Sequence, residues 1–247
     1  MNVLELFSGT GSVGKCCKEL GYDVVSVDLL LPADHQIDIM NFNYQQYPKD
    51  YFDIVWASPP CVEYSVLKAS HIGRRMKNGE IFTREKMNEN MDNSDNLVLK
   101  ALEIINYFNP PLWFIENPQG RLRKRKIMEG IPYYTIDYCM YSNWGYRKRT
   151  NIWTNKKDFT PLTCNGKCGN MIGNKHSFSL GSLNKHEGGN QTNIPSQHEK
   201  YRIPPELIYS LFLSPYAQCV SGYKKLNTGY EQNVNARAKI QCKALGK

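Results

Sequence analysis

Long apolar runs are missing from this chain. No stretch approaches the roughly 18 residues that a membrane-crossing helix needs, so no membrane partner is expected. The first residues pass straight into a strand pattern, Val3-Leu4-Glu5-Leu6-Phe7. They lack the charged, apolar and small-residue layout of a secretory signal. The expected location is the cytoplasm, or a host-cell nucleus for a viral chain. Internal repeats are absent, which excludes a solenoid. A disulfide framework is also absent, although the chain has 8 cysteines. Cys16 and Cys17 are adjacent and the others are scattered through a long chain, a pattern of reduced thiols. One hydroxyl is missing as well. Gly9 and Gly14-Lys15 nearly spell a P-loop, but Cys16 stands where Ser or Thr would hold magnesium. A thiol suits that hard cation poorly, which argues against an NTPase.

The chain that remains has 247 residues, 41% of them hydrophobic. That suffices for one large domain with a small appendage. The formal charge is +8, and the positive residues cluster at Arg121, Arg123, Lys124, Arg125 and Lys126, then at Arg147, Lys148 and Arg149. Clustered cations favour a polyanionic partner such as nucleic acid. Strand-like segments are expected at 2–7, 23–28, 52–57, 111–116, 133–140 and 149–154, and helices at 11–21, 94–108 and 120–129. This alternation predicts an α/β fold with a parallel sheet and crossover helices. The predicted organisation is a catalytic domain over 1–155 and a small irregular target-recognition region over 156–200. A helix within 201–223 then returns to the first domain, and 224–247 form a polar tail. Residues 62–93 are polar, carry Arg74 and Arg75, and read as a long functional loop.

Two apolar runs end in chemically loaded turns. Trp56-Ala57-Ser58-Pro59-Pro60 leads into Cys61, and Leu112-Trp113-Phe114-Ile115 leads into Glu116-Asn117-Pro118. In an open α/β sheet, ligands sit beyond the carboxyl ends of the strands. A thiol nucleophile and a carboxyl acid would then face one cleft. That pairing suits addition of a thiolate to an unactivated ring that is protonated elsewhere. Neighbouring cations would raise the thiolate fraction of Cys61. The turn Gly9-Thr10-Gly11-Ser12-Val13-Gly14 lets backbone approach a ligand closely and opens a helix. With Asp28 at the end of the second strand, a grip for ribose hydroxyls, and Asp38 as an acceptor for an adenine amine, it describes an adenosine-containing ligand. NAD and S-adenosylmethionine both satisfy that description.

Four motifs in order resemble the cytosine-C5 DNA methyltransferase family over about residues 1–155. Leu4-Glu5-Leu6-Phe7-Ser8-Gly9-Thr10-Gly11 resembles its cofactor loop, and Ser58-Pro59-Pro60-Cys61 its Pro-Cys turn. Phe114-Ile115-Glu116-Asn117-Pro118 resembles its Glu-Asn-Val motif, and Tyr146-Arg147-Lys148-Arg149 its Arg-x-Arg element. The resemblance implies a Rossmann-like class I methyltransferase sheet with helices on both faces, and S-adenosylmethionine as cofactor. Cys61 would attack C6 of a flipped cytosine, Glu116 would hydrogen-bond or protonate N3, and Arg147 or Arg149 would contact the base or orient Glu116. Phe7, Ser8, Gly9, Gly11, Asp28, Asp38, Ile39, Pro59 and Leu97 would line the cofactor. Ser65, Arg74, Arg75, Arg121, Arg123, Lys124 and Arg125 would meet nucleic acid. The partner would be double-stranded DNA, with RNA as the alternative, and the protein a monomer. A cytosine-C5 tRNA methyltransferase and an inactive nucleic-acid-binding homologue are the rival readings. Three departures stand out: Val62 where the family has Gln, Pro118 where it has Val, and Gly145 where it has Gln. The family's C-terminal cofactor-wrapping motif has no counterpart after residue 200.

Cys164 and Cys168 precede His176, His186 and His198. Their spacing matches no standard zinc finger, so the reading is a loop module without metal.

Overall fold

The computed structural model describes residues 1–178, 180 and 196–213. Its centre is a seven-stranded sheet made of β1 (Asn2–Leu6), β2 (Asp23–Asp28), β3 (His35–Gln36), β4 (Ile54–Ala57), β5 (Leu112–Pro118), β6 (Tyr133–Asp137) and β7 (Arg149–Thr154). The spatial order is β3-β2-β1-β4-β5-β7-β6. The first five strands pair in parallel. β7 runs antiparallel to both β5 and β6, so the sheet is mixed rather than wholly parallel. The cause is a short connection. β6 and β7 are joined through one 3-10 turn, Tyr138–Met140, and a parallel crossover needs a longer link.

Strand residues alternate between two apolar layers. Val3, Ile54, Trp56, Phe114 and Ile152 face one side, where they meet Val13, Cys17, Leu207 and Leu211. Leu4, Leu6, Val55, Ala57 and Ile115 face the other, against Met87, Val98, Ile104 and Phe108. The first layer is covered by α1 (Ser12–Glu19) and α4 (Pro205–Phe212), the second by α2 (Arg84–Phe108). Helices therefore cover both faces, as the resemblance implied. Strands buried on both faces read as continuous apolar runs, which is why they are visible in sequence.

α2 starts ten residues before the expected helix at 94, so the segment 62–93 is not one open loop. Thr83 caps it by accepting a hydrogen bond from Lys86 N, and Glu85 sits favourably in its first turn. Met87 and Met91 then bury one face of an otherwise polar turn. Asn109 ends the helix in a left-handed conformation, before Pro110-Pro111. The rest of the segment holds a 3-10 stretch at Val66–His71 and a bridge between Arg75 and Ile81. The helix expected at 120–129 is instead two 3-10 turns, Leu122–Lys124 and Lys126–Met128.

After β7 the chain forms a loop with a two-stranded hairpin, β8 (Met171–Ile172) and β9 (Lys175–His176). The short helix α3 (Gln197–Tyr201) precedes α4. α4 lies within 201–223 and packs on the sheet and α1. Its Phe212 stacks on Phe114 at 5.5 Å, and its Tyr209 hydroxyl bonds Glu19 of α1. The rest of the predicted 201–223 segment and the tail over 224–247 lie outside the described residues, as does His186. Among the described residues, no helix is long and apolar enough to cross a membrane.

Candidate active site

The sheet changes winding direction between β1 and β4, where crevices in such folds open beyond the carboxyl ends of the strands. A cavity of about 470 Å³ lies there. This is within the usual range for small-molecule sites. Eight of the nine expected cofactor residues line it: Phe7, Ser8, Gly9, Asp28, Asp38, Ile39, Pro59 and Leu97. Gly11 acts one step back. It takes a left-handed conformation, φ 65°, as the residue before α1. Phe7 is also left-handed, φ 56°, an uncommon state for a bulky residue, and strain of this kind concentrates at binding sites. Asp28 stays at the rim because it braces the turn: Gly9 N donates to its Oδ2, and Leu30 N and Leu31 N to its Oδ1. Asp38 caps a 3-10 turn by accepting from Met40 N.

Glu5 was overlooked in the sequence. It is buried in β1 and accepts hydrogen bonds from Val13 N (3.2 Å) and Gly14 N (3.0 Å) at the start of α1. Gly14 is required by this contact, since a Cβ there would lie 2.7 Å from Glu5 Oε2. Burial pushes the Glu5 carboxyl up to about 7, against the pull of those amides and of Lys15 and Lys18. A native value above the ordinary one means that the contribution of Glu5 to stability is fully present below about pH 4.5 and is lost as pH rises through about 7. The shift corresponds to about 3 kcal/mol. Urea unfolding at about pH 5 and about pH 8 should therefore show wild type losing more stability than Glu5→Gln. Equal losses would refute the assignment.

The chemical end of the cavity holds Cys61 and Glu116 together. Cys61 follows β4, and Glu116 lies in β5 next to it, so the expected convergence is present. Asn117 ties the two turns by donating from Nδ2 to Pro59 O at 2.9 Å. Burial raises the Cys61 thiol above its ordinary range; the Glu116 charge adds to this, and Lys148 opposes it. A neighbouring cation therefore acts in the expected direction, but desolvation is the larger effect.

Two neighbours orient Glu116, both on its Oε1. The Tyr138 hydroxyl donates at 2.9 Å, and Lys148 Nζ lies at 3.7 Å. Neither Arg147 nor Arg149 orients Glu116, so of the two roles expected for them only contact with the base is left open. Both arginines instead grip Asp137, a fully buried carboxylate at the end of β6. Arg147 Nε donates at 2.9 Å, and Arg149 donates through Nε at 3.0 Å and Nη2 at 2.8 Å. Lys148 could have been found, because side chains alternate along an extended chain and the middle residue of Arg-Lys-Arg faces away from its neighbours. Tyr201 and Ile203 complete the cavity wall from the C-terminal segment, and Ile203 N donates to Ser12 Oγ. No motif marked them.

The departure at Gly145 has a steric cause. Its φ is +81°, and a Cβ would lie 2.3 Å from the ring of Phe178, so no glutamine fits. Of the expected nucleic-acid contacts, Arg74, Arg75, Arg123 and Lys124 are exposed. Arg125 is not available, because it bridges Asp92 and Asp95. Arg121 is half-buried, and Ser65 caps the 3-10 stretch after Cys61.

No family model matches the chain. A protein of Frog virus 3 (isolate Goorha) named "Probable DNA (cytosine-5)-methyltransferase" is 40% identical over 218 residues, 85% of this chain and 98% of that protein. Among solved structures, the Entamoeba histolytica methyltransferase EhMeth aligns at 14% identity and TM-score 0.46, covering 66% of this chain and 56% of its own. The S. pombe Dnmt2 methyltransferase aligns at 18% identity and TM-score 0.39, covering 66% of this chain and 52% of its own. The chain thus spans about half the length of these two structures. The extent and identity of the viral match, together with the ordered motifs at the cavity, place this chain in the DNA (cytosine-5)-methyltransferase family.

Proposed function

We propose that the protein transfers a methyl group from S-adenosylmethionine to carbon 5 of cytosine in double-stranded DNA. The observation that carries this reading is the shared cavity: Cys61 and Glu116 open into the space lined by the glycine turn, Asp28 and Asp38. The residues fit the methyl donor. The walls are largely apolar, two carboxylates stand at the rim, and Ser8 Oγ is a buried polar atom without a protein partner. A buried hydroxyl of this kind is stabilised by a ligand. When bound, S-adenosylmethionine supplies an electrophilic methyl group on a sulfonium.

The chain does the rest. Cys61 gives its proton to solvent and forms a bond from Sγ to C6 of the base. Glu116 donates a hydrogen bond or proton at N3, which draws electrons from C6 and makes the attack feasible. Tyr138 and Lys148 hold Glu116 by one oxygen while it does so. The electron pair delivered by sulfur enriches C5, which takes the methyl group. Loss of the C5 proton to solvent or a base, with departure of Sγ, restores the ring. The target base must leave the duplex, at a cost of a few kcal/mol. Arg74, Arg75, Arg123 and Lys124 are exposed cations suited to the backbone phosphates.

Purified protein with radiolabelled S-adenosylmethionine is expected to label cytosine in duplex DNA. Labelling of tRNA at an equal or higher rate would overturn the DNA assignment. Binding of duplex without transfer would favour an inactive homologue.

A further inference from the structure

By spacing alone, Cys164, Cys168 and the three histidines after them read as a loop module without metal, and Cys139 stands apart in the sequence. In the fold Cys139, in the 3-10 turn after β6, meets Cys164, Cys168 and His176, and the ligand-type atoms of all four residues lie within 4.8 Å of one another. We propose that Cys139, Cys164, Cys168 and His176 bind a structural zinc ion.

The two sulfur–nitrogen distances suit a tetrahedron. With Zn–S near 2.3 Å and Zn–N near 2.0–2.1 Å, sulfur and nitrogen on one zinc stand about 3.6 Å apart. His176 Nε2 lies 3.6 Å from Cys164 Sγ and 3.3 Å from Cys168 Sγ. All three cysteines are free rather than paired in disulfides. Three thiolates and an imidazole form a closed soft set that selects zinc over harder cations. Gly166 N donates to Cys164 Sγ at 3.3 Å, the kind of outer contact that steadies a metal-bound sulfur.

The location explains the need. The ligands come from the sheet edge, a loop and a hairpin whose strands have only two residues each. Such a hairpin has little stability of its own. The ion would staple it to the end of β6. Asn170 reinforces the join, donating to Cys139 O and Ser142 O and accepting from Gly145 N. Cys164 N also donates to Asp137 Oδ2 at 2.8 Å. The staple thus reaches the carboxylate that holds Arg147 and Arg149. That last link rests on the methyltransferase reading; the metal site does not.

The test is metal analysis of the full chain, expressed with zinc and purified without chelator. About one zinc per chain is expected. Cys139→Ser and Cys168→Ser should each lower it to below about one-tenth of that, while Cys61→Ser retains it. A ligand variant that fails to fold would lose metal too, so the wild-type chain is also loaded with cobalt. Intense visible bands of tetrahedral thiolate-bound cobalt are expected. Absence of both zinc and the cobalt bands from wild type, or a Cys164–Cys168 disulfide detected by mass spectrometry, would overturn the site. Retention of full zinc in both ligand variants would do the same. None of these readings depends on methyl transfer.

Discussion

Cys61→Ala is expected to slow methyl transfer by about four orders of magnitude or more, the scale of losing a nucleophile that works with a partner group. The expectation follows from the arrangement at the ends of β4 and β5. Among the described residues Cys61 is the sole thiol lining the cavity, and Glu116 stands at the same end. Without sulfur addition at C6, C5 stays too electron-poor to accept the methyl group, whatever the donor contributes. Donor binding should change little, because the glycine turn follows β1, Asp28 ends β2 and Asp38 caps a separate 3-10 turn. Single-turnover transfer and S-adenosylmethionine binding, measured side by side, separate the two. A loss below about tenfold would mean that another group attacks the ring.

Asp137→Asn is expected to destabilise the fold by about 3 kcal/mol, the lower end for breaking a buried ion pair, because its arginine partners are partly exposed. Asp137 accepts from Arg147, Arg149 and the Cys164 amide at once. An amide nitrogen in its place would set donor against donor. Burial pushes this carboxyl up, but the bonds from Arg149, Arg147 and Cys164 outweigh it, so its native value is below the ordinary one. The stabilisation is present above the ordinary carboxylate range and is lost as pH falls through the lower native value. Urea midpoints of wild type and variant should therefore converge in acid. A difference under about 1 kcal/mol at neutral pH would show that Asp137 does not anchor the arginines.

The parts legible in the sequence are those whose signal is local. β1, β4 and β5 are apolar runs because both faces of the sheet are covered, and the loaded turns after β4 and within β5 follow in order. The start of α2 was harder to see: Met87 and Met91 are the only buried residues in a polar stretch, although Thr83 was a usable cap signal. The turns at Leu122–Met128 carry helix-forming residues, but Arg125 between them is extended (φ −78°, ψ 141°), with its side chain on Asp92 and Asp95. Cys139 escaped notice because it joins the other ligands through the fold rather than through spacing. The contact of Lys148 with Glu116 is not legible in the sequence, because the partner of each cation is fixed by cross-strand pairing, which no single segment reveals.

The reversed direction of β7 makes the link from Tyr138 to Lys148 a spacer gauge. It sets Arg149 opposite Asp137 in the ladder, while Lys148 reaches Glu116. A slip by one position would trade the two cations, presenting a rigid planar fork to Glu116 in place of a compact point charge. Inserting or deleting one residue in this link would thus rewire the electrostatics of the centre while leaving every residue that lines it unchanged in identity.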